Sequence, residues 1–322
     1  MEYDDALGPA ELVLMASVAR AYYVEGRAKT EIAGQFDISR FKVARLLDQA
    51  RETGMVRIEI GRPGSIDVGL SSELQARFRL KHAIVVATPE TDPQALRDQI
   101  GRAGAELLSE IVTVNDVLGF GWARSLLAIK ASLPRLAPCP VVQLTGALSR
   151  PDVDVSSIEL VRDIARIGGG PAYYFYAPML VPDRTTAAVL RRHPEVARAF
   201  EHFPAVTKAV VGVGGWRPPA STAYDALTSA ERRVLLDHGV VADVSGVLLD
   251  AEGRPVEIPP TDRMICISAA QLRRIPEVLA LAYGPEKAPA PRAEIRGGFV
   301  TGLVTHTAFA RALLSPASTG EG

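Results

Sequence analysis

Residues 117–125 read Val117-Leu118-Gly119-Phe120-Gly121-Trp122-Ala123-Arg124-Ser125: a short apolar run, a turn carrying two glycines, and the opening of a helix. The same succession of short apolar strand, glycine-bearing turn and helix recurs on both sides of it. Strands are predicted at Ala83 to Ala87, Val117 to Phe120, Val141 to Leu144, Tyr173 to Tyr176, Ala209 to Val213, Val240 to Val244, Ile265 to Ser268, Val278 to Ala282 and Leu303 to Thr305. Such alternation predicts an α/β domain with a largely parallel, doubly wound sheet covered by helices on both faces. Ligands of these sheets gather beyond the carboxyl ends of the strands, where the glycine turns fall.

The backbone N–H groups of the 119–125 turn, with the helix dipole, form an anion site to which Arg124 and Ser125 could add donors. A plain tight turn reads equally well from the bare pattern. Thr145-Gly146-Ala147 ends the next strand and Gly168-Gly169-Gly170 precedes another, so these turns could line one mouth with Gly119 and Gly121. Asp243 and Asp250 flank the run Val244 to Leu249; a carboxylate at a strand end can hold sugar hydroxyls, and each alone also reads as a turn-former. Lys287 falls just beyond a strand and at the start of a helix. There it would meet a phosphate, a carboxylate or a sugar aldehyde, or stand as a surface lysine. Trp122 and Trp216 follow glycine turns and could stack on a sugar or lie in the core, and His306 reads first as a structural histidine. No metal-ligand cluster and no nucleophile with its base is evident, so no metal, cofactor or catalytic residue is expected.

Ahead of this domain, Leu12, Met15, Ala19 and Tyr22 mark one face of a helix ended by Gly26. Ile32, Ala33 and Phe36 mark a second helix, beginning near Ala28 without a Ser or Thr cap, so its start is expected to fray. A third helix starts at Ser39, buries Val43, Leu46, Leu47 and Ala50, and stops at Gly54; Met55 to Ile60 then alternates as a half-buried strand does. Three short helices and a strand match a winged helix-turn-helix. The outer face of the third helix carries Phe41 and Arg45, with Lys42 beside them and Arg40 in the first turn. Ser39 can cap the helix, Arg40 and Arg45 can fork onto guanine edges or phosphates, Lys42 can meet the backbone, and Phe41 can press on a thymine methyl.

A chain of 322 residues gives a prior of about two domains. The boundaries read as 1–60 for the helix-turn-helix, 61–80 for a linker and connecting helix, and 81–322 for the larger domain, whose last residues, 315–322, form a small polar tail. With 48% hydrophobic and 23% charged residues, wholesale disorder is excluded. The net charge of −1 means that any nucleic-acid contact must come from a local patch. Cys139 and Cys266 alone build neither a disulfide framework nor a zinc site. The start, Met1-Glu2-Tyr3-Asp4-Asp5, is acidic where a secretory signal is basic, and no apolar run approaches the roughly 18 residues needed to cross a bilayer. A cytoplasmic location is expected, with no membrane partner.

Tyr22-Tyr23, Glu31-Ile32-Ala33, Ile38 to Leu47 and Gly54 to Ile58 resemble the DNA-binding domain of the SorC family of sugar-responsive transcriptional regulators. Val117 to Ser125, Val141 to Gly146, Ala242 to Gly246 and the stretch from Ile275 to Leu314 look like that family's effector domain, so the resemblance spans roughly residues 12 to 315. It implies an effector domain of the sugar-phosphate isomerase and deaminase (NagB/RpiA/CoA transferase-like) fold, without catalysis, in a homo-oligomer, a dimer or a tetramer built from dimers. It further implies an inducer phosphate against Gly119 to Ser125 and near Lys287. Two departures stand out: Trp122-Ala123-Arg124-Ser125 replaces the frequent Trp-Gly-Arg-Thr, and His306 follows Thr305 where Asp or Asn is common.

The leading expectation is a regulator that binds operator DNA through Ser39, Arg40, Phe41, Lys42 and Arg45. A sugar, sugar phosphate or polyol would control it from a site of Gly119, Gly121, Trp122, Arg124, Ser125, Thr145, Gly146, Asp243 and Lys287. The alternative is a sugar-phosphate isomerase or deaminase with an appended helical domain, in which Lys287 and Asp243 transfer protons. A third reading, an interaction module with a decayed DNA-binding helix, is opposed by the intact Arg40, Lys42 and Arg45.

Overall fold

The computed structural model describes residues 8–56, 66–89, 91–148, 156–218 and 220–315. The chain divides into two compact units, Met1–Gly61 and Arg62–Gly322.

In the first unit, α1 (Pro9–Tyr23), α2 (Lys29–Gln35) and α3 (Arg40–Glu52) enclose a small core. Val43, Leu46, Leu47 and Ala50 recur at helical spacing and pack with Met15, Val18 and Ala19 of α1 and Ile32 of α2. Each fully buried Leu or Ile stabilises the unit by roughly 1.5–3 kcal/mol, which is what anchors so short a helix as α2. Asp37, at a φ of 51°, turns the chain between α2 and α3, and Ile38 N–H donates to Ala33 O at 3.0 Å. Asp tolerates this left-handed conformation better than most residues. The start of α2 is held, not frayed: the Glu31 carboxylate accepts from Ala28 N–H at 3.1 Å and so stands in for the missing cap. Of the strand predicted at Met55 to Ile60, residues 57–60 lie outside the described residues; Val56 N–H donates back to Ala50 O at 2.8 Å.

Ten strands are found among the described residues of the second unit: β1 (His82–Val86), β2 (Leu118–Phe120), β3 (Val141–Gln143), β4 (Ala172–Tyr173), β5 (Lys208–Gly212), β6 (Gly214–Gly215), β7 (Val240–Val244), β8 (Val247–Asp250), β9 (Glu277–Leu281) and β10 (Gly302–His306). Seven form one sheet in the order β1-β10-β9-β5-β2-β3-β4, with every pairing parallel. Successive residues along a strand point to opposite faces, and here both faces are buried. Val85, Ala209, Val211, Val278, Ala280 and Leu303 enter one core, and Val86, Val210, Leu279, Leu281 and Val304 the other. The second core is closed by helices Pro93–Ile111, Arg124–Ser132 and Ser157–Gly168, the first by helices on the opposite face that include Val68–Phe78 and Thr307–Leu314. The sheet is therefore doubly wound. The helix Val68–Phe78 belongs to this packing: Leu74 is fully buried, and Ser71 Oγ accepts from Val85 N–H at 2.9 Å.

Three predicted strands differ from the structure. Val240 to Val244 is a strand, β7, but it leaves the parallel sheet and pairs antiparallel with β6 and β8. The hairpin between β7 and β8 turns on Ser245 and Gly246, at φ 54° and 86°, the left-handed pair that a two-residue loop needs to follow strand twist. Ile265 to Ser268 makes no ladder. Ile265 N–H bonds to Met179 O and Ile267 N–H to Leu144 O, so its partners are divided between two segments. Tyr173 to Tyr176 shrinks to Ala172–Tyr173, because Gln143 Oε1 takes the Phe175 N–H that would have extended the edge strand.

Candidate functional site

In the first unit, α3 presents a rooted face and a free one. Ser39 Oγ accepts from Lys42 N–H at 3.1 Å, satisfying one of the helix's open amides. Opposite the buried Val43, Leu46, Leu47 and Ala50, Phe41 is 87% exposed, Arg40 and Arg45 are exposed, and Lys42 is half-buried. Neither Arg40 nor Arg45 has an ion pair among the described residues, whereas Arg51, further along the helix, is taken by Asp48. An aromatic side chain held out in water beside two uncommitted guanidinium groups suits a nucleic-acid groove better than a solvated surface.

In the second unit, an open cleft of about 600 Å³ lies beyond the carboxyl ends of the strands. Trp122 to Ser125 follow β2, Thr145 follows β3, Gly212, Val213 and Gly214 end or follow β5, and Tyr283 and Lys287 follow β9. The hairpin hung on β6 supplies Asp243, Ser245 and Gly246, and Ser221 and Thr222 complete the wall.

One corner is basic. The helix Arg124–Ser132 starts after Ala123, with no side-chain cap bond at that position among the described residues, and the positive end of its dipole favours an anion there. Lys287 Nζ stands 4.6 Å from the centre of the Tyr283 ring, and the Arg97 guanidinium lies 5.4 Å from the same ring. Burial pushes the Lys287 pKa down, Arg124 and Arg97 push the same way, and Tyr283 and Glu286 oppose them. An anion placed here would relieve that repulsion.

Another wall is polar and buried. Asp243 is 7% exposed; it accepts from Ser221 Oγ at 2.9 Å and from Gly246 N–H at 3.0 Å, which ties the hairpin to the helix start at Thr222. Burial raises its pKa, and those two bonds offset part of the rise. Gln143, wholly buried, donates to Thr145 O at 2.7 Å and to Ser157 Oγ at 3.0 Å, and so sets the backbone at Thr145. Among the described residues no three His, Cys, Asp or Glu side chains gather as metal ligands do, and no helix is long and apolar enough to cross a membrane.

Residues 64–315 match the family model described as "Putative sugar-binding domain". The chain belongs to the SorC family of sugar-binding transcriptional regulators. It is 31% identical over 305 residues to the uncharacterized transcriptional regulator YjhU of Escherichia coli (strain K12), covering 91% of this chain and 92% of that one. It is 29% identical to the transcriptional regulator LsrR of Klebsiella pneumoniae subsp. pneumoniae, over 97% and 96% of the two chains. The full-length sorbitol operon regulator SorC from Klebsiella pneumoniae has the same fold, with a TM-score of 0.72 and 22% identity over 98% of this chain and 100% of that one.

In this SorC-family chain, six of the nine residues predicted for the effector site line the cleft together: Trp122, Arg124, Ser125, Thr145, Asp243 and Lys287. The three glycines frame it from behind. A side chain at Gly119 would meet Leu144 at 3.0 Å, one at Gly121 would meet Ser245 Oγ at 2.4 Å, and one at Gly146 would meet the Met179 backbone at 2.7 Å. Gly168-Gly169-Gly170 precedes β4 and so lies at the opposite, amino ends of the strands. Trp216 packs edge-on to Tyr224 at 5.3 Å, and His306 is 2% exposed beside Phe309; neither lines the cleft. Asp250 is a turn-former, held by Arg254 Nε at 2.7 Å. Sequence reading missed Ser221, Thr222 and Ser245. The Ser245-Gly246 dipeptide between apolar runs is a hairpin signal that would have found the last.

Proposed function

We propose that this protein is a DNA-binding transcriptional regulator whose operator affinity is set by a sugar, sugar phosphate or polyol held in the cleft, with no catalysis. The observation that carries the reading is the juxtaposition of the basic corner, Arg124, Lys287 and the helix start after Ala123, with the buried hydroxyl and carboxylate wall of Thr145, Ser221 and Asp243. A basic corner suits a phosphate, and hydroxyl and carboxylate groups suit a polyhydroxylated carbon chain. The family supports the same chemistry, and LsrR is named as a transcriptional regulator and SorC as a sorbitol operon regulator.

On the DNA side, Arg40 and Arg45 read base edges or phosphates, Phe41 packs on a thymine methyl, Lys42 meets the backbone, and Ser39 keeps the helix start ordered. A homo-oligomer, dimer or tetramer, would present paired α3 helices to two half-sites about one helical turn apart. Ligand binding would favour one arrangement of the protomers; a 100-fold difference in operator affinity corresponds to roughly 2.7 kcal/mol of coupling.

The test is fluorescence anisotropy with the protein's own promoter and a random duplex at moderate salt, followed by titration of pentose and hexose phosphates, polyols and free sugars. Promoter preference that shifts with one of these compounds is the expected result. Equal binding to both duplexes would overturn the reading, and turnover of a sugar phosphate in its place would make the chain an isomerase or deaminase.

A further inference from the structure

Behind the cleft lies an acid that the effector reading does not use. Glu294, on the helix Pro289–Arg296, is wholly buried, and among the described residues neither of its carboxyl oxygens has a hydrogen-bond partner. A carboxylate cut off from water and from donors is far costlier to keep ionised than to neutralise, so the group holds its proton. Burial raises its pKa well above the ordinary carboxylate range, Asp243 adds to the rise, and Lys287 opposes it.

Both of those neighbours line the cleft. The helix Pro289–Arg296 packs against β6, β7, β8 and the turn Pro285–Lys287. The two glycines of β6 let the cleft residues close in: a Cβ on Gly214 would lie 3.1 Å from Asp243 Oδ2, and one on Gly215 would lie 3.7 Å from Lys287 Cγ. Other charges on these elements are engaged or in water. β6 carries none, Asp250 at the end of β8 pairs with Arg254, and Glu286 is exposed. On the helix itself Arg292 donates to Leu313 O and Arg296 to Ala251 O. The Lys287 ammonium has no ion pair among the described residues and rests on the face of Tyr283. It is therefore the cation open to Glu294 once that group ionises.

We propose that Glu294 is a positioning residue that sets, through its own proton, how fully Lys287 is offered to an anionic effector. Protonated, Glu294 leaves the ammonium to the ligand. Ionised, it draws the ammonium back and adds a negative charge behind Asp243, and both effects oppose an anion. This rests on the effector reading above and adds a pH dependence to it: effector affinity falls on the alkaline side. Because one proton is exchanged, the fall reaches at most about tenfold per pH unit.

The experiment uses inorganic sulfate, which stays a dianion throughout, as the probe. Calorimetric affinities of the full chain are measured from pH 6 to pH 9 in the wild type, Glu294→Gln and Glu294→Met, with Lys287→Met giving the background of sulfate bound elsewhere. Equal binding by the wild type and both Glu294 variants is expected at pH 6, and binding at least about threefold tighter in the variants at pH 9. Urea unfolding supplies a readout without ligand. The folded chain holds a proton that the unfolded chain releases, so the wild type should lose stability relative to both Glu294 variants as the pH rises from 5 to 9. A merely structural carboxyl would give a gap that does not change with pH. Parallel sulfate profiles, or a constant stability gap, overturn the role of Glu294 and leave the effector reading standing. Sulfate binding that Lys287→Met does not weaken at any pH removes the basic corner and this inference with it.

Discussion

Asp116→Asn probes how the amino ends of β2 and β5 are locked so that their carboxyl ends can face each other across the cleft. Asp116 Oδ2 accepts from Thr113 N–H at 2.8 Å and the Thr113 hydroxyl at 2.9 Å; Oδ1 accepts from the Thr207 hydroxyl at 2.7 Å and Lys208 Nζ at 3.0 Å. Burial alone would raise the carboxyl pKa, but the bonds from Thr113, Thr207 and Lys208 outweigh it and hold the group at about 2 instead of 3.8. A depression of that size, at about 1.4 kcal/mol per pH unit, is on the order of 2 kcal/mol of stability. Because the folded value lies below the unfolded one, this contribution is complete above about pH 5 and is lost as the pH falls through 4 towards 2. Urea unfolding of wild type and Asp116→Asn at pH 7, 4, 3 and 2 should show the variant less stable by about 2 kcal/mol at pH 7, with the gap shrinking by about as much at pH 2. A gap that stays constant over this range would refute the assignment of that stability to the ionised carboxyl.

Arg45→Ala should weaken operator binding by about 1–3 kcal/mol if Arg45 reads a base, and an unchanged footprint would remove it from the interface. Lys287→Ala should raise the effector concentration needed for half-maximal operator response by about tenfold or more, the worth of one charged hydrogen bond; a normal dose response would take Lys287 out of the site. Gly101→Ala places a Cβ 2.3 Å from Ala128 Cβ and 2.7 Å from the Ala128 carbonyl carbon, so helices Pro93–Ile111 and Arg124–Ser132 must separate. The expected cost is about 1–3 kcal/mol, read as a fall of several degrees in melting temperature, and an unshifted melt would show that the helix pair yields freely.

Local patterning sufficed for much of this architecture because the relevant forces act over a few residues. The spacing of Val43, Leu46, Leu47 and Ala50 fixes which side of α3 is buried, and hence that Phe41 and Arg45 face outward. The apolar runs at 83–87, 117–120, 141–144, 209–213, 278–282 and 303–305 announce strands buried on both faces, and all six are in the parallel sheet to within a residue or two. The glycine turn after β2 and the lysine after β9 were legible as a possible anion site for the same reason. Strand order was not legible: β5 sits between β9 and β2, which places Lys287 in one cleft with Arg124, 163 positions earlier in the chain. Periodicity reports burial, and burial is the same for every central strand, so it cannot say which strands are neighbours. The Ser245-Gly246 turn is a local signal, but periodicity cannot say that the Ser245 hydroxyl lies over Gly121. Those placements depend on contacts between segments about a hundred residues apart, and only the packed chain brings such segments within reach.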